Sequence, residues 1–228
     1  MKVAVMQSNY IPWKGYFDMI NMVDVFVIYD TVQYTKNDWR NRNMIITKQG
    51  PHWLTIPVRI KSLQQTINET QVALPKWNKK HWTTLQANYA KAAYFSEFKD
   101  VFEREYTRLS GLSLSEVNFR LISLICEVLE IDTRIIRSET FELSGDKNER
   151  LIQICDALGA DVYLSGPAAK GYMDYDLFKS KDIEVEWMQY QDYREYPQLG
   201  IEFNHAVSVL DLIFNTGKHA RSFLKSTS

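Results

Sequence analysis

The densest concentration of chemically useful side chains lies in Gln33-Tyr34-Thr35-Lys36-Asn37-Asp38-Trp39-Arg40-Asn41-Arg42-Asn43. Arg40 and Arg42 offer planar forks that suit phosphate or carboxylate oxygens, Asn41 and its neighbours suit sugar or base edges, and Tyr34 and Trp39 offer stacking faces. Exposed loops carry charges too, but so many planar, bidentate groups together point to ligand recognition. A second stretch, Gln7-Ser8-Asn9-Tyr10 followed by Pro12-Trp13-Lys14-Gly15, places amides before a helix start. There Pro12 restrains the chain, Gly15 permits close approach, and free N–H groups favour an anion. A Pro-x-x-Gly by itself shapes a turn as readily. In Ser165-Gly166-Pro167-Ala168-Ala169-Lys170-Gly171-Tyr172, a tight loop lets Lys170 and Tyr172 reach back as a clamp for phosphate or acyl oxygens. Ser165 lacks G-x-S-x-G flanks and a placed base, so a serine hydrolase is not indicated. Near the end, Gln198, His205, Asp211 and Asn215 can fold back over a site. His205 is a candidate general base, although a lone His before an apolar helix more often caps or packs. Lys76-Trp77-Asn78-Lys79-Lys80-His81-Trp82 could form a cationic, aromatic surface for RNA, or a helix start whose indoles sit in the core.

Bulk properties narrow the classes. With 27 Lys+Arg against 28 Asp+Glu, no global field recruits polyanions, so an anion site must be a local cluster. His52, His81, His205 and His219 show no metal-ligand spacing, and the sequence indicates no cofactor. Cys126 and Cys155 each sit in an apolar helical pattern and read as reduced core residues, consistent with a cytoplasmic setting. No signal segment and no run of 18 uncharged apolar residues occurs, so no membrane partner is expected.

These loops need strands to hold them. VAVM at 3–6 and VFVIYD at 25–30 flank a helically spaced GYFDMINMVD, which predicts a parallel strand–helix–strand unit. Residues 44–58 read as a hairpin about Lys48-Gln49-Gly50-Pro51, with a possible third strand at 66–74. A long helical stretch runs from Pro75 to about 109, and Ser115-x-x-Asn118 opens a further apolar helix. From 134 the alternation resumes: RIIRSE as strand, a helix to Ala160, DVYLS as strand, a short helix near 174–180, IEVEWMQY as strand, and a helical tail stopped at Gly217. The predicted architecture is one α/β domain over 1–228. It is doubly wound, with a mainly parallel Rossmann-like sheet, an antiparallel hairpin inserted at about 44–74 and a helical subdomain at about 76–131. In such sheets ligands sit beyond the carboxyl ends of the strands, where these polar loops fall.

Five ordered blocks, QSNYIPWKGYF (7–17), DVFVIYD (24–30), QYTKNDWRNRN (33–43), YLSGPAAKGY (163–172) and SVLDLIFNTG (208–217), resemble the WbqC-like family across essentially the whole chain. The resemblance implies a role in bacterial clusters that build O-antigens, other surface polysaccharides or sugar-bearing metabolites. It also implies an amide-forming transfer of an acyl or aminoacyl group, such as glycyl, to an amino sugar. The order of strands and loops looks like the nucleotidylyltransferase-type α/β fold as well, but those enzymes carry two His after the first strand. Here Gln7, Tyr10 and Trp13 occupy that stretch and the first His is His52.

Three functions therefore stand side by side. In the first, a cytosolic transferase binds a nucleotide-linked amino sugar, with Arg40, Arg42 and Lys170 on diphosphate or acyl oxygens, Trp39 or Tyr34 stacked on base or sugar, and Asp30 or His205 taking the ammonium proton. Asp30 lies just beyond the second strand. An aminoacyl-tRNA donor would meet the basic 76–82 segment. The second is a nucleotidylyl-transferring or adenylate-forming enzyme, and the third a non-catalytic sugar-nucleotide-binding module.

Overall fold

The computed structural model describes residues 1–200 and 202–227. The chain opens with β1 (Lys2–Met6), α1 (Lys14–Asn21) and β2 (Val25–Ile28), the predicted unit. β1 and β2 pair in parallel, Val3 opposite Val25 through Met6 opposite Ile28. Then come the antiparallel pair β3 (Arg42–Thr47) and β4 (Gly50–Thr55), a short ladder of β5 (Val58–Arg59) with β6 (Gln71–Val72), and helices α2 (Trp77–Tyr89), α3 (Phe95–Arg108) and α4 (Leu114–Val128). The α/β alternation resumes with β7 (Arg134–Arg137), α5 (Lys147–Leu158), β8 (Val162–Ser165), α6 (Tyr175–Lys179) and β9 (Glu184–Trp187), and the tail carries α7 (Val209–Thr216).

The main sheet runs β7-β2-β1-β8-β9, with each pairing parallel. Alternation along the strands assigns its two faces. Ala4, Phe26, Ile28 and Leu164 join the larger apolar cluster with α1–α4 and α7, whereas Val3, Val25, Val27 and Tyr163 join a second with α5 and α6 residues such as Ile154, Cys155 and Phe178. Both faces are covered, so the fold is a doubly wound α/β sheet. Strand order reverses between β1 and β8, and a crevice at their carboxyl ends is the expected consequence.

The β3–β4 turn leaves Lys48 and Gln49 between paired Thr47 and Gly50, with Gly50 at φ +100°, a value that favours glycine. The long helical stretch predicted from Pro75 to about 109 is broken into α2 and α3. Tertiary contact makes the break: the Tyr94 N–H donates to the Phe214 carbonyl at 3.0 Å. The Tyr94 ring also packs so closely on Gly217 that a Cβ there would sit 2.3 Å from it. Gly217, at φ +60°, ends α7 as the sequence implies. The α4 cap is Ser113, whose hydroxyl accepts the Glu116 N–H. Ser115, the expected start, lies inside the helix and its hydroxyl bonds to Asp30 instead. Among the described residues no helix is long and apolar enough to cross a membrane.

Candidate functional site

The loop after β1 is fastened from below by Asp30. Fully buried at the end of β2, its carboxylate accepts the Ser8 N–H at 2.8 Å, the Ser8 hydroxyl at 2.7 Å and the Ser115 hydroxyl at 2.5 Å. Ser138, after β7, adds a fourth tie, its Oγ accepting the Asp30 N–H at 3.2 Å. Burial raises the Asp30 pKa, and the Ser115 and Ser8 hydrogen bonds oppose that rise. The carboxylate thus ties β2, the β1 loop and α4 together and is enclosed by protein donors.

Above this staple lies Arg40. One of its terminal nitrogens donates to the Gln7 and Ser8 carbonyls at 3.5 and 3.4 Å and to the Asn9 side-chain oxygen. Its Nε is buried with no hydrogen-bond partner among the described residues, and its carboxylate contact, Asp38, is at 3.6 Å. Burial lowers the Arg40 pKa. A largely enclosed guanidinium held by carbonyl oxygens and by one carboxylate at 3.6 Å has donor capacity left over at Nε, and an anion would use it. The Asn118 amide fixes this segment by donating to the Ser8 hydroxyl and the Arg40 carbonyl, both at 2.9 Å.

The other wall of the crevice comes from β8. Its register with β1 sets Ala4 opposite Leu164, and a Cβ on Gly166 would stand in the gap between Met6 Cε and the Tyr190 hydroxyl, 3.9 Å from each. Lacking that atom, Gly166 leaves the gap open at the switch point. Ser165 is buried, and its carbonyl accepts the Met188 N–H. Trp13 packs edge-on against Tyr190 at 5.2 Å and Tyr193 at 5.6 Å. Gly15 makes room for that indole, since a Cβ there would come within 2.3 Å of the ring. The first turn of α1 has no acidic residue and no side-chain cap. Gln7, Asn9, Trp13, Gly15, Arg40, Ser165 and Gly166 are thus brought to one strand-end region. Tyr190 joins them unannounced by any motif in the sequence.

A second group lies under residues 189–200 and 202–208, which cross the start of α1 as an irregular strap. Lys14 is 2% exposed; its ammonium donates to the Arg194 carbonyl at 3.0 Å and lies 5.1 Å from the ring centroids of Tyr193 and Tyr196 and 5.7 Å from that of Phe203. Burial lowers its pKa to about 8, against the pull of Asp18, Asp211 and Glu195. Asp211, fully buried, accepts Tyr89 at 2.9 Å, Tyr196 at 2.7 Å and Gln198 at 2.6 Å, while Asn215 donates back to the Asp211 carbonyl at 2.7 Å. His205 packs on Phe203 at 4.6 Å. Its Nδ1 has no hydrogen-bond partner among the described residues, and burial and then Lys14 lower its pKa. Gln198, Asp211 and Asn215 are joined by hydrogen bonds, and His205 lies on the same strap beside Phe203. No local pattern signals that Lys14, 180 residues from Arg194, sits at the cluster's centre.

The remaining candidates lie elsewhere. Tyr10 is buried in the core, its hydroxyl 2.8 Å from both His81 Nδ1 and the Tyr106 hydroxyl. Burial lowers the His81 pKa to about 4. Trp77 and Trp82 are buried with His81, so the 76–82 segment presents Lys76, Lys79 and Lys80 outward and no indole. Tyr34 is buried, and Asn41 exchanges backbone and side-chain bonds with Ile56 at 2.7 and 2.8 Å. Trp39 and Arg42 lie toward the β3–β4 hairpin, each beside Trp53. Lys170 lies over the Trp187 ring at 5.4 Å and exposed Tyr172 beneath Lys147 at 5.2 Å, beyond β8 and β9 and without a direct contact to Arg40. A groove of about 330 Å³ between α3 and α4, around Arg104, Arg108 and Phe119, includes none of the strand-end residues. Among the described residues no group of three or more His, Cys, Asp or Glu is placed to hold a metal.

Comparison with known proteins supplies kinship. The profile of the WbqC-like protein family matches residues 7–223. The uncharacterized protein Rv1507c of Mycobacterium tuberculosis is 47% identical over 98% of this chain and 97% of its own length. No solved structure matches.

Proposed function

This chain belongs to the WbqC-like protein family, and from that kinship we propose that it is a transferase that acylates the amine of a nucleotide-linked amino sugar. The carrying observation is Arg40, a guanidinium enclosed at the switch point with its carboxylate contact 3.6 Å away. It fits a phosphate oxygen, and the uncapped first turn of α1 adds favourable partial charge. Gln7, Asn9 and the Tyr190 hydroxyl suit sugar hydroxyls.

In the reaction the amine lone pair attacks the carbonyl carbon of an activated ester or thioester. The C–N bond forms, the bond to the carrier oxygen or sulfur breaks, and the amine proton passes to a base. We assign that base to His205, whose pKa burial and then Lys14 lower from its ordinary value and whose strap also carries Tyr190. Asp30, with its carboxylate engaged by three donors, holds the loop instead.

The test incubates purified protein with nucleotide-linked amino sugars and aminoacyl-tRNA, acyl thioester or acyl adenylate donors, and reads the sugar by mass spectrometry. A mass increase equal to the acyl residue, lost in Arg40→Gln, supports the reading. Pyrophosphate release from a nucleoside triphosphate without acyl transfer overturns it in favour of nucleotidylyl chemistry, and binding without turnover across the donor panel overturns it in favour of a recognition module.

A further inference from the structure

The β3–β4 hairpin carries an aromatic and cationic platform that neither the fold nor the apolar core requires. Trp39 and Trp53 are 38% and 39% exposed, and their rings lie 5.3 Å apart at 42°. The Arg42 guanidinium lies 4.3 Å from the Trp53 centroid and donates to the Asn37 carbonyl, while its Nε is buried with no partner among the described residues. Exposed indoles ordinarily reduce a protein's solubility, and an arginine stacked against one still directs donors outward.

The placement is not arbitrary. The Tyr10 N–H donates to the Trp39 carbonyl at 3.0 Å, which pins the platform to the loop after β1. Along one short stretch, Trp39 faces solvent, Arg40 turns inward to Gln7 and Asn9, Asn41 is locked to Ile56, and Arg42 returns to the platform. A stacking face and the strand-end guanidinium are therefore adjacent residues, about 3.8 Å apart at their Cα atoms. A flat ring joined through a flexible sugar to phosphate is a ligand that addresses both neighbours, and a bare sugar phosphate does not use the indoles.

We propose that Trp39, Trp53 and Arg42 form the base subsite of this protein, stacking the nucleobase of a nucleoside diphosphate whose phosphates reach Arg40. The inference rests on the reading of Arg40 as the phosphate seat, but not on acyl transfer. Stacking tolerates any base, because each has a π face, and Arg42 adds charge at its edge.

Isothermal titration calorimetry of the full chain separates these points. The probes are uridine, adenosine, guanosine and thymidine diphosphates, with base-free ribose 5-phosphate and pyrophosphate as controls. The expected result is saturable binding of at least one nucleoside diphosphate, much weaker binding of both controls, and a loss of about 5- to 150-fold in Trp39→Leu and in Trp53→Leu. Both side chains are surface residues, and an unchanged urea midpoint confirms that the variants fold. Nucleotide affinity unaltered in both variants overturns the proposal, as does equal affinity for ribose 5-phosphate. Binding of single-stranded RNA with mononucleotides silent, or self-association abolished by Trp53→Leu with no nucleotide effect, overturns it too. Acyl transfer retained with normal nucleotide affinity in the indole variants rejects the platform alone; nucleotide binding intact without any transfer rejects the reaction alone.

Discussion

Replacing Asp30 by asparagine separates a fastening role from a catalytic one. The Oδ1 position still accepts the Ser8 N–H, but an amide NH2 at the Oδ2 position faces the Ser8 and Ser115 hydroxyls that now donate to it. On reversal each hydroxyl would accept a second bond beside the one it already takes, Ser8 Oγ from the Asn118 amide at 2.9 Å and Ser115 Oγ from the Arg137 guanidinium at 3.4 Å, and its own hydrogen would lose the carboxylate it now donates to. Losing two charge-assisted bonds costs about 1.5–3 kcal/mol each, offset in part because a buried charge is also removed. A net loss of about 1–3 kcal/mol follows, or roughly 2–12 °C in Tm for a chain of this size. Urea unfolding followed by indole fluorescence measures it. A general base removed in this way would instead cost about 10²- to 10⁴-fold in kcat. The expected outcome is a destabilised protein whose turnover per folded molecule stays within about tenfold of wild type. An Asp30→Asn variant with wild-type stability and a reaction slowed by about a hundredfold would refute the argument.

Other substitutions probe other parts. Lys14 has a folded pKa of about 8 against about 10.4 unfolded, so between those values the unfolded chain binds more protons and stability rises with pH. The rise is at most about 3 kcal/mol and nearer about 1–2 after solvent screening; Lys14→Met should remove this slope from denaturation curves taken from about pH 7.5 to 10. His205, with its pKa below the usual 6.5, should leave kcat/KM flat through neutral pH and reduce it only in more acidic buffer, a limb that His205→Gln abolishes together with most of the rate. Gly15→Ala places a methyl 2.3 Å from the Trp13 ring; the indole must leave Tyr190, at a cost of about 1–3 kcal/mol by calorimetry, and nucleoside diphosphate binding should weaken.

Much of this frame was legible in local pattern. β-branched runs twenty residues apart announced β1 and β2, and the Lys48-Gln49-Gly50-Pro51 stretch announced a hairpin but not its register. Thr47 pairs with Gly50 and Ile46 with Pro51, which puts Met44 opposite Trp53 and Arg42 opposite Thr55, so Arg42 and Trp53 are diagonal neighbours within reach. What stayed hidden depends on contacts between distant segments. Nothing in Ala90-Lys91-Ala92-Ala93-Tyr94 breaks a helix by propensity; Phe214 and Gly217 do so from another part of the fold. Lys14 reads as a surface residue at a helix start until a strap from 180 residues away closes three rings around it. That serine hydroxyls surround the Asp30 carboxylate is likewise invisible locally, because a strand-end position looks the same in sequence whether solvent or hydroxyls face it.

The central position of β1 also shapes how the chain is made. One flank of this strand is met by β2 within about thirty residues, but the other waits for β8, with Lys2 paired to Val162. At about 5–20 residues per second of synthesis, roughly 7–27 s pass between the emergence of β2 and that of β8. During that interval Val3, Ala4 and Val5 hang from the ribosome with half of their backbone bonding capacity open. The hairpin and the three helices that are translated in between pack on one face of the sheet, so the second edge of β1 stays open until β8 is made.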